Sequence, residues 1–188
     1  MERSIDFDKY ITINKEVSYS ATSKIKCSIL ENKRIILKKY NNKKDKRYYK
    51  EKKNYLLLND CYFIPKLIYY DDNNKILLFE DAGDSLKKIV IHNEYHVLPA
   101  YSNIIIQLHL MILQLYSKYK LVHNDITFRN ICIKNGKLYL IDLESIDVYK
   151  YNTKKHPEVF TYNPDNLILN DYNKLSTYVM KELRNKCP

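Results

Sequence analysis

The chain has 188 residues and 45% hydrophobic content, enough for one domain or two small lobes with a buried core, and no apolar run is long enough to span a bilayer. The cysteines are scattered without a C-x-x-C pair (Cys27, Cys61, Cys132 and Cys187), so we expect reduced thiols and no zinc site. The charged N-terminal residues do not resemble a signal peptide, and together these features predict a cytoplasmic protein without membrane association.

The net charge is +10, and much of it lies in a basic stretch between Lys38 and Lys53. One interpretation of this stretch is a helix face exposed to solvent. The other is attraction to a polyanion, either RNA or an acidic partner. Interleaved tyrosines do not decide between the two, because the chain contains 19 of them.

The first half of the chain predicts an antiparallel sheet with one helix. Runs of β-branched and aromatic residues alternate there with turns rich in Asn and Asp. After a loose arm at 1–9, the predicted strands are 10–14, 25–30, 34–40, 63–70 and 75–79, and the predicted helix is 43–59.

The second half predicts a long helix at 100–120, because Ile104, Leu108, Ile112 and Leu115 repeat at helical spacing. Further along, Asn135-Gly136 between two apolar runs predicts a hairpin with a two-residue turn. We expect a loop at 149–166 and a last helix at 171–185.

The polar segment before this hairpin carries the most specific pattern in the sequence. It reads His123-x-Asp125-x-x-x-x-Asn130, and the second strand of the hairpin ends at Asp142. One carboxylate can position a substrate hydroxyl, while an amide oxygen and another carboxylate can hold Mg²⁺ on ATP. The set therefore suits phosphoryl transfer.

This constellation resembles the catalytic loop and metal-binding aspartate of the protein kinase-like superfamily, and the short second half resembles its small atypical members, the RIO-type and KEOPS-complex kinases. The resemblance implies an α+β, two-lobed fold with a shortened C-terminal lobe. Residues 1–82 would form an antiparallel sheet plus one helix, and 83–188 a mainly helical lobe with the catalytic loop. It also implies ATP and Mg²⁺ as cofactors and a protein or small-molecule hydroxyl as acceptor.

The resemblance assigns roles to two residues of the first half. Lys38 would reach the α- and β-phosphates of ATP as a catalytic residue, and Glu51 would hold Lys38 in place. The residues alone leave alternatives open. Lys38 could be a surface lysine, and Glu51 could pair with Arg47 along one helix face.

The resemblance also assigns the loop residues. Asp125 would orient the attacking hydroxyl and accept its proton, and Asn130 and Asp142 would bind Mg²⁺ as metal ligands. His123 would be structural, packing beneath the loop.

The segment 80–86 resembles the hinge between kinase lobes, where the nucleotide base binds. Glu80 and Ala82 would lie against the adenine, Gly83 would permit the crossing between lobes, and Asp84 would reach a ribose hydroxyl. The alternative is an ordinary strand-to-helix loop in which Asp84 or Ser85 caps the helix.

Three departures from the family pattern leave several functions open. The segment 17–23, where a Gly-rich phosphate loop belongs, has no glycine, and Ile36 stands where the family usually has alanine. Glu144 replaces the glycine of the D-F-G motif, as in aminoglycoside and choline phosphotransferases. We therefore expect an atypical serine/threonine protein kinase, with a pseudokinase binding module and a small-molecule kinase as alternatives.

Overall fold

A computed structural model describes residues 12–19, 23–30, 32–41, 46–92 and 94–148, with the backbone alone for 12–19 and 148. These residues form a mixed α+β structure, which confirms the predicted class. They divide into two compact units between Asp81 and Ala82. The predicted N-terminal arm, the loop at 149–166 and the helix at 171–185 lie outside the described residues.

The first unit is a five-stranded antiparallel sheet with a helix between its third and fourth strands. Its elements are β1 (Thr12–Tyr19), β2 (Ser23–Leu30), β3 (Lys33–Tyr40), α1 (Lys46–Leu57), β4 (Leu67–Asp71) and β5 (Ile76–Glu80). The strand order is β1-β2-β3-β5-β4. On one face Ile35, Leu37 and Leu78 form a buried cluster, because alternate residues of β3 point to the same side.

The structure corrects the predicted positions of the first strand and the loop after it. β1 continues to Tyr19 and β2 begins at Ser23, so most of the predicted loop at 17–23 belongs to strands. Val17 and Tyr19 are residue types that favour strands. The connection between the two strands is therefore no longer than residues 20–22, which lie outside the described part.

The fourth strand is also shorter than predicted. It begins at Leu67, and Phe63 and Ile64 are buried in the turns that precede it. Pro65 explains the difference, because it has no N–H to donate to a strand ladder. The apolar run at 63–64 therefore fills the core from a turn.

The turn between β4 and β5 is confirmed. The Asp71 side chain closes it, because Oδ1 accepts hydrogen bonds from the backbone N–H groups of Asn73 (2.8 Å) and Asn74 (3.0 Å). Lys75 ends the turn in a left-handed conformation (φ +56°), so β5 begins at Ile76.

The second unit contains helices, two short 3₁₀ turns and two small antiparallel sheets. Its elements are β6 (Asp84–Ser85), α2 (Leu86–His92), a 3₁₀ turn (Tyr95–Val97), α3 (Tyr101–Tyr119), β7 (Leu121–Val122), β8 (Ile131–Lys134), β9 (Lys137–Leu140), a 3₁₀ turn (Leu143–Ser145) and β10 (Asp147–Val148). Strand β8 pairs with β6 and β9, and β7 pairs with β10.

The long helix and the hairpin are confirmed. α3 buries the apolar face that the spacing predicted, including Ile104, Leu108 and Leu115. The Asn135-Gly136 turn joins β8 to β9 with positive φ at both residues (52° and 73°), as a type I′ turn requires. Gln107 ties the hairpin to α3, because its side chain accepts the Leu138 N–H at 2.9 Å and donates to the Gly136 carbonyl at 3.0 Å.

Candidate functional site

The first unit contains a buried ion pair between strand β3 and helix α1. Lys38 Nζ lies 2.9 Å from Glu51 Oε2, and the two side chains are 8% and 1% exposed. Neither is therefore a surface residue, and the alternative interpretation of Lys38 as a surface lysine is wrong. Taking two charges out of water costs several kcal/mol per ion, so such a pair needs further hydrogen bonds to be held.

Tyr40 supplies one of these bonds. Its hydroxyl donates to the same Glu51 oxygen, and its ring centroid lies 5.3 Å from Lys38 Nζ. Tyr40 is two residues beyond Lys38 and therefore lies on the same face of β3. Sequence reasoning missed Tyr40, and that spacing was the available signal.

Helix α1, which carries Glu51, is attached to the turn between β4 and β5 through Asp72. The carboxylate of Asp72 accepts hydrogen bonds from the Tyr48 hydroxyl at 2.7 Å and from Lys52 Nζ at 2.7 Å. Lys75 Nζ donates to the Tyr49 hydroxyl at 2.7 Å. Burial, together with the Asp72 carboxylate, raises the pKa of the Tyr48 hydroxyl well above its ordinary value, so Tyr48 stays a neutral donor.

The predicted hinge residues divide between the two units. In the first unit, Glu80 is exposed at the end of β5, and its N–H donates to the Lys66 carbonyl at 3.0 Å. This N–H is therefore already paired next to the start of β4, and a contact of Glu80 with a nucleotide base stays a prediction. In the second unit Ala82 is buried.

Asp84 and Ser85 form β6 and directly precede the second unit's first helix, α2. Ser85 Oγ accepts the Lys88 N–H at 3.3 Å, so Ser85 caps α2 as one alternative predicted. The carboxylate of Asp84 lies 2.8 Å from Lys88 Nζ in a pair that is partly open to solvent. The structure therefore gives Asp84 a local partner, and a contact with a ribose stays a prediction.

His123 fixes the start of the polar loop from below. The side chain is fully buried, Nε2 lies 3.1 Å from the Ile141 carbonyl, and Nδ1 accepts the Asp125 N–H at 3.3 Å. Because a carbonyl can only accept, Nε2 is the donor in the contact with Ile141. The expected structural role of His123 agrees with these contacts.

Asn130 closes the loop onto Asp125. Its side-chain N–H₂ donates to the Asp125 carbonyl at 3.0 Å and to Asp125 Oδ2 at 2.8 Å. Both donors of the amide are thus used, which turns its oxygen away from Asp125. This orientation fits a metal ligand, since Mg²⁺ takes oxygen ligands. Asp125 keeps its second carboxylate oxygen, Oδ1, without a partner among the described residues.

Asp142 follows the strand that lies against this loop. The N–H of Ile141 donates to the Asn130 carbonyl at 2.9 Å, so Asp142 is one residue beyond a direct link to Asn130. Asp142 has a left-handed backbone (φ 63°, ψ 58°), which is uncommon for a residue with a side chain and occurs often at functional sites. The second unit thereby brings Asp125, Asn130 and Asp142 into one region of the chain's fold.

Asn124, to which the sequence assigned no role, also supports the loop. Asn124 has a positive φ of 65°, and its side-chain amide donates to the Ser145 carbonyl at 3.1 Å. This bond connects the loop to the 3₁₀ turn after Asp142. Asn is favoured in left-handed conformations, and its position between His123 and Asp125 was the only sequence signal.

The basic stretch is only partly available to a partner. Lys38 is buried with Glu51, and Lys52 is bound to Asp72. Lys46, Arg47 and Lys53 are exposed on α1. A solvent-exposed helix face accounts for these three, and attraction to RNA or an acidic partner stays a prediction.

No protein-family model matches this sequence, and the comparison with curated proteins finds no match. Within the described part of the chain, no helix combines the length and the apolar character needed to cross a bilayer.

Proposed function

We propose that this protein is an ATP-dependent phosphotransferase with a two-lobed, kinase-like fold and a shortened second lobe. It transfers the γ-phosphate of ATP to a hydroxyl group as an atypical serine/threonine protein kinase. The first unit supplies the groups that hold the nucleotide phosphates, and the second supplies the loop for metal binding and transfer.

The observation that carries this proposal is the buried Lys38–Glu51 ion pair. A lysine on the third strand paired with a glutamate on the following helix is the pair that kinases require for activity. A buried pair is no gain for stability over an apolar pair of similar size, which argues for a functional reason to keep it. The lysine would neutralise charge on the α- and β-phosphates.

The geometry of the loop supports the proposal independently. Asn130 presents its amide oxygen, and Asp142 contributes a carboxylate one residue beyond the link to Asn130. These two residues would hold Mg²⁺, which supplies charge neutralisation on the phosphates. Both ligand types are hard oxygen donors, as Mg²⁺ prefers.

Asp125 would act on the acceptor. Its free oxygen, Oδ1, would accept a hydrogen bond from the acceptor hydroxyl and align it with the γ-phosphorus. The new bond forms between the acceptor oxygen and phosphorus, the bond to the β,γ-bridging oxygen breaks, and the proton passes to Asp125 while ADP leaves. Catalysis then consists of positioning and charge neutralisation.

Two alternatives have specific observations in their favour. The connection at 20–22 reads Ser-Ala-Thr and lacks the glycines that let backbone N–H groups approach phosphates, which favours a binding module without catalysis. Glu144 after Asp142-Leu143 favours a small-molecule acceptor, as in the phosphotransferases that share this feature.

The proposed metal role is tested by Asp142→Asn. Asn tolerates the left-handed backbone at this position, so we expect the fold to be kept while the carboxylate is lost. In the wild type, ATP should raise Tm only when Mg²⁺ is present. At an ATP concentration 100 times its Kd, the free energy of unfolding should rise by about 2.7 kcal/mol. In Asp142→Asn the Mg²⁺-dependent part of this increase should disappear.

The matched control is Asp147→Asn, which removes an exposed carboxylate from the neighbouring strand β10. It should keep the full Mg²⁺-dependent increase. A wild-type protein whose Tm does not respond to Mg-ATP at all contradicts the proposal. An unchanged response in Asp142→Asn removes Asp142 from the metal site.

A further inference from the structure

The polar loop from His123 to Asn130 is held by an extensive set of hydrogen bonds. His123, Asn124 and Asn130 use their side chains to bind the backbone of the loop and of the segment 141–145. The Phe128 carbonyl accepts the Lys87 N–H at 3.0 Å, and the Thr127 carbonyl accepts the Asn130 N–H at 2.9 Å. The backbone of the loop is therefore fixed from both ends.

Thr127 is the exception in this loop. Its hydroxyl oxygen is buried and has no hydrogen-bond partner, and it is the one such buried side-chain atom among the described residues. Buried polar groups are rarely left unpaired, and each such group in a native structure calls for an explanation. If this hydroxyl only filled space, a methyl group in its place would pack equally well, with no loss in the free energy of unfolding.

A second unpaired oxygen lies two residues away. Asp125 Oδ2 is bound by Asn130, whereas Asp125 Oδ1 has no partner in the described part of the chain. Thr127 lies inside the loop segment that the Asn130 side chain closes onto Asp125. The loop thus holds one unused donor and one unused acceptor, both on side chains with rotatable bonds.

We propose that Thr127 is a positioning residue whose hydroxyl donates to Asp125 Oδ1 and holds the carboxylate in the orientation used for transfer. The inference rests on the proposed function. Once nucleotide and acceptor are bound, a rotation of the Asp125 side chain pairs the two oxygens. Asn130 and Thr127 then hold the carboxylate from two sides, while the Oδ1 oxygen still accepts the acceptor proton through its remaining lone pair. Thr127 touches neither substrate and forms no covalent bond.

The test compares Thr127→Val, which removes the hydroxyl at nearly constant shape, with Thr127→Ser, which keeps it. Thr127→Val should lower kcat about 10- to 100-fold with the KM for Mg-ATP changed less than about threefold, because the lost bond orients Asp125 and does not bind nucleotide. Its Tm should equal or exceed that of the wild type, because an unpaired buried polar group is removed. Thr127→Ser should keep kcat within about fivefold of the wild type.

Only the positioning role predicts that Thr127→Val keeps its Tm and loses turnover. A Thr127→Val kcat within about threefold of the wild type overturns the inference. So does a lowered Tm with equal losses in Thr127→Val and Thr127→Ser, because that result assigns Thr127 to packing alone. If the wild type transfers no phosphate, the proposed function fails and this inference fails with it. Loss of activity in Asp125→Asn but not in Thr127→Val overturns this inference only.

Discussion

Gly83 and Gly136 are the two glycines of the chain, and both have a positive φ, of 84° and 73°. Their surroundings differ. A Cβ atom at Gly83 would lie 1.9 Å from the Ile133 carbonyl oxygen, whereas a Cβ atom at Gly136 would meet nothing within 4 Å. Gly83 therefore allows the segment before β6 to pack directly on the backbone of β8.

This contrast predicts very different costs for the same substitution. Gly136→Ala should lower the free energy of unfolding by about 1–2 kcal/mol, the cost of a left-handed residue with a side chain. Gly83→Ala should lower it by more than ~4 kcal/mol, because a backbone oxygen must also move. Urea denaturation of both variants measures the difference. Equal losses would contradict the packing described for Gly83.

At the residue scale, the sequence predicted which polar residues lie near one another, but it did not reveal residues that join them only through tertiary contacts. The family resemblance implied that Glu51 holds Lys38, and the two residues form a buried ion pair. Tyr40 joins this pair through a contact between a strand and a helix, and its spacing from Lys38 indicates only that the two residues share a face of β3. The unpaired hydroxyl of Thr127 likewise depends on which neighbours surround it.

At the element scale, helix α1 depends on Asp72 for its attachment to the turn between β4 and β5. Desolvation acts to raise the pKa of the Asp72 carboxyl, but hydrogen bonds from Lys52 and Tyr48 outweigh it and leave the pKa below its ordinary value of 3.8. A carboxyl with a lowered pKa in the folded state stabilises the fold above its unfolded-state pKa. That contribution is lost as the pH falls through the folded-state pKa.

Asp72→Asn should therefore lower Tm at pH 7, and its Tm should approach that of the wild type as the pH falls below 3.8. Because the Asp72 side chain is 49% exposed, we expect the difference at pH 7 to be no more than about 1 kcal/mol. Thermal melts at both pH values measure it.

Glu80→Gln serves as the control, because it removes an exposed carboxylate at the end of β5. It should change Tm little at pH 7. A Tm difference between the wild type and Asp72→Asn that is the same at neutral and acid pH would contradict the role given to the ionised carboxylate.

Elements with strong local signals were predicted well. The periodic helix α3 and the Asn135-Gly136 hairpin agree with the structure, because helical spacing and turn chemistry are properties of the local sequence. The predicted positions of the first strand and of the start of β4 were wrong. The loop at 17–23 was predicted from the order of elements in the kinase-like family, although Val17 and Tyr19 favour strands. Before β4, Pro65 keeps the buried apolar residues that precede it from joining the strand.

At the scale of the whole molecule, each unit carries part of the proposed machinery. The first holds Lys38 and Glu51 on its sheet and helix, and the second holds Asp125, Asn130 and Asp142 around the loop and hairpin. The proposed machinery is the same for a protein acceptor and a small-molecule acceptor, because both kinds of kinase need the same phosphate and metal groups. Phosphate transfer itself decides between an enzyme and a binding module.

The most direct measurement is transfer of radiolabelled γ-phosphate from ATP by the wild type and Asp125→Asn, with Asp147→Asn as control. The Asn side chain keeps an oxygen for the Asn130 amide to bind, so the loop should stay closed and the Tm increase with Mg-ATP should be unchanged. We expect the wild type and Asp147→Asn to transfer phosphate, and Asp125→Asn to be slower by ~10² or more. Transfer by Asp125→Asn at the wild-type rate, or a wild type that binds Mg-ATP and transfers no phosphate to any protein or small-molecule hydroxyl, would contradict the account.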